Sequence, residues 1–281
     1  MTAALDIPCV ACGTSGDSEA LREVEGHRVN IWAPGLRQST GVHDEAVSGA
    51  WKRHRLSRLG AQYRVNMKLV AINVGRPRAV QWRGRKVDTS IFKTPVSRRV
   101  NVTRDNVEGD QQSDLSVHGG SEKAVYAYPA EHYLFWRREL PDADLPWGSF
   151  GENFTTEGLL DDEVWIGDRY RVGTVELVVT QPRMPCYKLA IRFGQTDVVK
   201  RFLQSGRSGF YLAVEREGDV GAGDAIERIA RNERRLSIAD VVALYTTDSA
   251  NQPLLERASD HPSLPAAWRE YFQKRLWTPD A

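Results

Sequence analysis

Cysteine, net charge and long apolar runs are all scarce in this 281-residue chain, and each scarcity removes a class of protein. With 3 cysteines the chain cannot close a disulfide framework, and it lacks the thiolate quartet that an ordinary iron–sulfur cluster takes. A reducing, cytoplasmic setting is the expectation. The 38 basic and 37 acidic residues leave a formal net charge of +1, so no global field draws the chain to nucleic acid or an anionic membrane. No apolar stretch approaches the roughly 18 to 20 residues of a membrane span, and the N-terminus lacks the apolar core of a secretory signal. Internal repeats and low-complexity tracts are also absent. What remains, with 41% hydrophobic and 27% charged residues, is an ordinary globular chain able to bury a sizeable core.

Two features that invite attention carry little. Cys9 and Cys12 form a C-x-x-C pair, but no second pair or histidine couple completes a zinc site, and no thioredoxin-like pattern surrounds them. The cluster Arg228, Arg231, Arg234 and Arg235 is interrupted by Glu227 and Glu233, which reads as a solvated face.

Residues 1–66 keep no helical or strand period and mix charges with Gly, Ser and Pro, so they read as a poorly ordered extension. Within it, Trp51 to Leu59 has the composition of a short basic helix. Met67 opens a different text and is a candidate natural start. Short β-rich runs then recur between turn signals: Lys68 to Gly75, Ala79 to Trp82, Val100 to Thr103, Ala124 to Tyr128, Val164 to Ile166, Tyr170 to Val172, Val175 to Thr180 and Phe210 to Val214. Helices are expected over Ala130 to Glu139, after Cys186, and over Asp197 to Gln204. Beyond Asn232 three short helices follow, announced by Ser237 as an N-cap and by Pro253 and Pro265 at helix starts. The chain is therefore expected to be mainly β, with a barrel-like domain over 67–230 and a small C-terminal three-helix domain over 231–281. A doubly wound α/β sheet is disfavoured, because strands do not alternate regularly with long helices.

Three polar stretches can carry chemistry. The run from Glu176 ends at Pro182 and Pro185, which deny the chain ladder donors and an immediate helix, so Cys186 sits on a stiff loop. Arg183, Lys188 and Arg192 flank it, and cationic neighbours favour the thiolate that attacks electrophiles and binds soft metals. Equally, a free cysteine commonly behaves as a small buried hydrophobe, and this stretch alone does not decide. In the block Gly109 to Tyr128, His118, Gly119 and Gly120 with Lys123 beyond them either let the backbone approach an anion or make a tight hairpin with a surface histidine. Trp147 to Phe154 sets Glu152 and Asn153 among aromatics, as partners for a ligand or as the local bonds of a turn.

Taken together and in order, these stretches resemble the MOSC domain family, in its YiiM-like branch. The resemblance runs from Met67 through Ile91-Phe-Lys-Thr-Pro95, Gly109-Asp110 to Tyr128, Phe150-Gly-Glu-Asn-Phe154, Val164 to Asp168, Pro182-Arg-Met-Pro-Cys186 and Gly209 to Asp224, and the tail from Ser237 is similar to that branch's helical domain. It implies a MOSC-type barrel that carries the molybdenum cofactor, molybdopterin, with Cys186 as the protein ligand to the metal; pyridoxal phosphate is not expected. His118, Gly119, Gly120 and Lys123 would line the cofactor pocket, Glu152 and Asn153 would hydrogen-bond the pterin, and Arg183, Lys188 and Arg192 would meet the phosphate or tune the metal. The implied activity is reduction of N-hydroxylated bases or related compounds, with the N–O oxygen leaving as water. Electrons would come from a separate reductase or ferredoxin-like donor, since 3 cysteines leave no cluster of the chain's own. Two other readings stay open: a sulfur or cofactor carrier using Cys186 without substrate reduction, and a binding module using the His118 loop for an anionic ligand.

Overall fold

A computed structural model describes residues 67–113 and 120–276, all within one compact unit. The expected extension 1–66, with Cys9, Cys12 and the basic segment from Trp51, lies outside the described residues, as do His118 and Gly119. In chain order the elements are β1 (Lys68–Val74), β2 (Arg78–Trp82), β3 (Arg85–Thr89), β4 (Thr94–Val96), β5 (Val100–Val102), β6 (Val125–Pro129), α1 (Ala130–Glu139), β7 (Phe154–Glu157), β8 (Arg169–Val172) and β9 (Val175–Pro182). There follow α2 (Tyr187–Phe193), α3 (Val198–Ser205), β10 (Phe210–Arg216), β11 (Gly218–Val220), β12 (Ile226–Ala230), α4 (Ile238–Thr246), α5 (Gln252–Ser259) and α6 (Ala266–Leu276).

Eight strands form one mixed sheet in the order β12-β8-β9-β10-β6-β7-β1-β4, in which β6 and β7 are the parallel pair. The sheet also folds back on itself. Leu69 N donates to Asp224 O at 2.9 Å, Gly223 N to Leu69 O at 2.7 Å and Ile226 N to Met67 O at 2.8 Å, which brings the approach to β12 against β1. This is the barrel-like closure expected of the short, evenly spaced strands, and it removes much of the exposed edge that an open sheet would carry. Along β9 the burial alternates and then becomes continuous, so Leu177 and Val179 point into the main core with Leu69, Ile72 and Leu212. Each such side chain contributes roughly 1.5 to 3 kcal/mol when fully buried.

A second apolar cluster gathers outside the sheet, where α1, α2 and α3 bring Trp136, Leu189 and Phe202 onto Tyr128 and Phe150. Trp136 Nε1 donates to Tyr128 Oη at 2.7 Å, which satisfies both polar tips within the aromatic packing. The three C-terminal helices are set by their caps. Ser237 and Asp240 form a capping box at α4, Asn251 caps α5 with Pro253 in its first turn, and α6 begins just after Pro265. They share the main core, since Val241, Leu255, Trp268 and Phe272 pack in the same cluster as the strands. Trp268 Nε1 also donates to Gln181 Oε1 at 3.0 Å, tying α6 to the strand that leads into the Cys186 loop.

Three strand expectations change. Val164 to Ile166 is not a strand: Glu163 N and Val164 N both bond Leu160 O, and Gly167 at φ +83 lies within a turn from Trp165 that Asp168 braces. Only Trp165 bridges outward there, to Ser237. β9 runs past Thr180 to Pro182, opposite Phe210, because proline is tolerated at a strand end and Arg183 N takes up the next bond, to Gly209 O at 3.2 Å. Finally, β3, β4, β7, β11 and β12 are strands where none was expected.

Candidate functional site

The Cys186 loop, the segment after β3 and the start of β6 meet in one cleft, open to solvent, with a volume of about 100 Å³. Cys186 lies in its wall. The residue takes the N-cap position of α2 in an extended conformation, φ −119 and ψ 171, and its side chain makes no capping bond. Its thiol is free and only 7% exposed, so it faces the cleft without being a surface group.

Arg183, three residues earlier on the same loop, is buried in the cleft wall beside the rings of Tyr126 and Phe202, 5.5 and 5.1 Å from their centroids. Its Nη1 has no hydrogen-bond partner among the described residues. The Ser90 hydroxyl, also in the wall, is unpartnered in the same sense. Leaving a buried donor of a charged group unmatched costs several kcal/mol in order of magnitude, about 3 to 5 for a broken buried pair, so the arrangement favours an anion in the cleft. Lys188 adds a second buried cation, with Nζ donating to Ser113 Oγ at 3.2 Å, and Lys123 a third lining residue. Burial pushes the Tyr126 and Tyr211 phenols up from their ordinary values, while Arg183 pulls back, so both stay neutral donors at physiological pH.

Other lining residues form a matched network. Asn153 Oδ1 accepts from Tyr126 N at 3.2 Å, its Nδ2 donates to Asp110 Oδ2 at 2.9 Å, and its backbone N donates to Tyr126 O at 2.8 Å. Asp110 also accepts from Gly75 N at 2.8 Å and from the Lys93 ammonium. Burial lowers the Lys93 pKa and the Asp110 carboxylate, by charge and then by hydrogen bond, opposes that shift. Lys93 and Asp110 received no role from the sequence, although both stood inside stretches that carried the resemblance. The pair is formed across 17 residues and becomes conspicuous only when burial is known.

Two expected site residues stand elsewhere. Glu152 is fully buried and is not a cleft-lining residue: it accepts from Tyr133 Oη, Gly148 N at 2.8 Å, Thr155 Oγ1 at 3.0 Å and Phe150 N at 3.1 Å. Its acceptors are taken by the chain itself, so it shapes the turn that presents Asn153. That turn needs Gly151 at φ +80, where a Cβ would stand 3.1 Å from Ile91 Cγ1. Arg192 lies behind the wall, donating to Ser149 Oγ at 3.3 Å and flanking Phe92 and Phe193. Gly120, at φ +102, starts a short turn over Ser121–Lys123 and carries Lys123 to the cleft.

Comparison with known proteins identifies the family. The MOSC domain matches residues 114–227, and the YiiM-like, 3-alpha helix domain matches 236–278. YflK of Bacillus subtilis, an uncharacterized protein, is 39% identical over 74% of this chain and 93% of its own length. The protein YiiM of Escherichia coli is 34% identical over 66% of this chain and 84% of its own. The chain belongs to the MOSC family, in the YiiM-like group. The crystal structure of YiiM from Geobacillus stearothermophilus superposes with a TM-score of 0.63 at 38% identity, covering 75% of this chain and 99% of that one. A Gibberella moniliformis protein named Reductase is 34% identical over 64% of this MOSC chain but over 32% of its own length.

Proposed function

We propose that this MOSC protein reduces N-hydroxylated bases or related N-hydroxylated compounds with a molybdenum cofactor held at Cys186. The observation that carries the reading is the pairing, in one cleft wall, of a free soft donor at Cys186 with an unmatched buried guanidinium at Arg183. Among the described residues no group of three or more His, Cys, Asp or Glu side chains converges, so a metal here would bring most of its own ligands. An anionic pterin phosphate carrying molybdenum on a dithiolene fits that donor set: one thiolate for a soft metal, and Arg183, Lys188 and Lys123 for negative charge. MOSC domains are generally associated with this cofactor, and a relative bears the name Reductase.

When bound, the group supplies two-electron redox chemistry at oxygen. The overall change takes R–NH–OH, two electrons and two protons to R–NH₂ and water. The chain's own residues hold and orient. Cys186 would ligate the metal, Arg183 and Lys188 would neutralise the phosphate, and Asn153 would present an amide edge fixed by Asp110. Lys93, whose ammonium donates to Asp110 and whose pKa burial lowers, would be placed to pass a proton to a departing oxygen. A separate reductase or ferredoxin-like protein would supply the electrons, since the chain has 3 cysteines in all.

Cys186→Ala tests the reading. It should fold as the parent does, with stability changed by less than about 1 kcal/mol for so small a truncation, yet lose bound molybdenum and hydroxylaminopurine reduction with an artificial donor. Full molybdenum content and turnover in that variant would end the proposal. A persulfide on Cys186 without pterin would instead favour the sulfur-carrier reading.

A further inference from the structure

The hairpin of β2 and β3 carries an uncompensated charge. From Arg76 to Asp88 it holds Arg76, Arg78, Arg83, Arg85 and Lys86 against a single carboxylate, Asp88, in a chain whose net charge is +1. All five cations are exposed. Some exposed arginines elsewhere are ion-paired, Arg98 with Glu108, Arg99 with Asp219 and Asp224, and Arg234 with Asp260, while Arg104, Arg137 and Arg138 form no salt bridge among the described residues but are not gathered on one element with so little acid. None of the hairpin's five forms a salt bridge among the described residues, so the excess is local and open.

The hairpin is also built to stand out. It pairs only with itself, Arg78 opposite Thr89 through Trp82 opposite Arg85, and it joins neither the main sheet nor the β5 and β11 pair. Its turn has positive φ at both central residues, 50° at Arg83 and 78° at Gly84. Asparagine or glycine fits the first of these positions with less strain, yet the chain places an arginine at the tip. At the base, β3 runs directly into Thr89, Ser90 and Ile91 of the cleft wall. Arg78 lies 3.4 Å from the centroid of Phe92, and Arg192 approaches the same ring at 5.6 Å. Positive charge thus continues from the tip to the shoulder of the cleft.

We propose that this hairpin docks an acidic one-electron carrier protein that feeds the cleft, an inference that rests on the reductase reading. Each turnover consumes two electrons and two protons, so two reduced carriers are each oxidised by one electron as the N–O bond breaks and water leaves. Complementary charge would gather such a carrier at the cleft's shoulder and raise its association rate. Nucleic acid suits the surface less well. Single-strand binders set exposed aromatics among their cations, whereas Trp82 and Phe92 pack against the second core cluster.

The test uses the molybdenum-loaded full chain, with an acidic plant-type ferredoxin as carrier probe and reduced methyl viologen as small donor. The variant Arg83→Glu/Arg85→Glu/Lys86→Glu should keep viologen-driven turnover while its KM for ferredoxin rises about tenfold or more. Calorimetry should show ferredoxin binding that weakens with salt in the parent and is lost in the variant. Parent-like KM and binding in the variant would overturn the docking surface. So would a parent that binds a single-stranded oligonucleotide at the hairpin and ignores ferredoxin. Absent viologen turnover and absent molybdenum would remove the reductase reading instead, and the calorimetric comparison would still decide the hairpin.

Discussion

Glu152 and Arg183 are both buried ionisable side chains near one cleft, and their surroundings are opposite. Glu152 is met by four donors of the chain's own, from Tyr133, Gly148, Phe150 and Thr155. Arg183 leaves Nη1 with no partner among the described residues. A buried charge that the protein has matched belongs to its frame, whereas an unmatched one facing a cleft is matched by what arrives there. The contrast separates residues that shape this site from residues that would hold something in it. It can be broken at Glu152 first, where the expected effect is largest. Glu152→Ala strips four donors of their acceptor, and the cost should be about 3 to 5 kcal/mol, read as a lower urea midpoint. Burial already raises the pKa of this carboxyl against those bonds, so Glu152→Gln, which keeps shape and part of the accepting capacity, should cost less than the alanine. A loss below about 1 kcal/mol in the alanine variant would show that Glu152 is not frame, and the contrast would fail.

How far the sequence reveals this division depends on distance along the chain. β1 and α1 are legible because an uninterrupted apolar run and a helical period are local signals, and α4 because Ser237 and Asp240 stand in capping-box spacing. Strands such as β4 and β11 are three residues long and gain identity only from the partner that pairs with them. The Cys186 loop is legible from its prolines. Glu152 is legible as polar text within an aromatic stretch but not as an inward-facing residue, since adjacent Glu152 and Asn153 differ only in which side of the turn each occupies. Lys93 and Asp110 are invisible as a pair, because sequence does not show which cation and which carboxylate will share a dry wall.

A third buried group sharpens the comparison with an intermediate effect. His261 is fully buried between α5 and α6, and neither ring nitrogen has a partner among the described residues, yet it lines no part of the cleft. It is therefore unmatched but neutral. Burial first, then the charges of Arg234 and Arg269 against the weaker pull of Asp260, lower its pKa to about 4. The unfolded chain, with an ordinary histidine near about 6.5, binds the proton more readily, so stability is present above that pH and is lost as pH falls toward about 4. The expected loss is roughly 1 to 2 kcal/mol over that window, measured by urea unfolding at stepped pH. His261→Leu should flatten the slope, and an unchanged slope would show that the acid sensitivity originates elsewhere.

The smallest expected change in stability is the most telling, because it comes from the residue that looks most costly to touch. Arg183→Met removes a buried guanidinium and replaces it with an apolar chain of similar reach. The lost contacts with Tyr126 and Phe202 are each worth about 0.5 to 2 kcal/mol as cation–π interactions. Against that, the variant escapes the desolvation of a charge whose Nη1 is unmatched, a penalty of several kcal/mol in order of magnitude, about 1 to 3 for the donor alone. The two nearly offset, so the urea midpoint should move by less than about 1 kcal/mol equivalent in either direction. Bound pterin and molybdenum should fall sharply in the same preparation, since the cation that would meet the phosphate is gone. A variant that unfolds while its residual folded fraction keeps full cofactor would place Arg183 with Glu152, as frame, and erase the contrast between them.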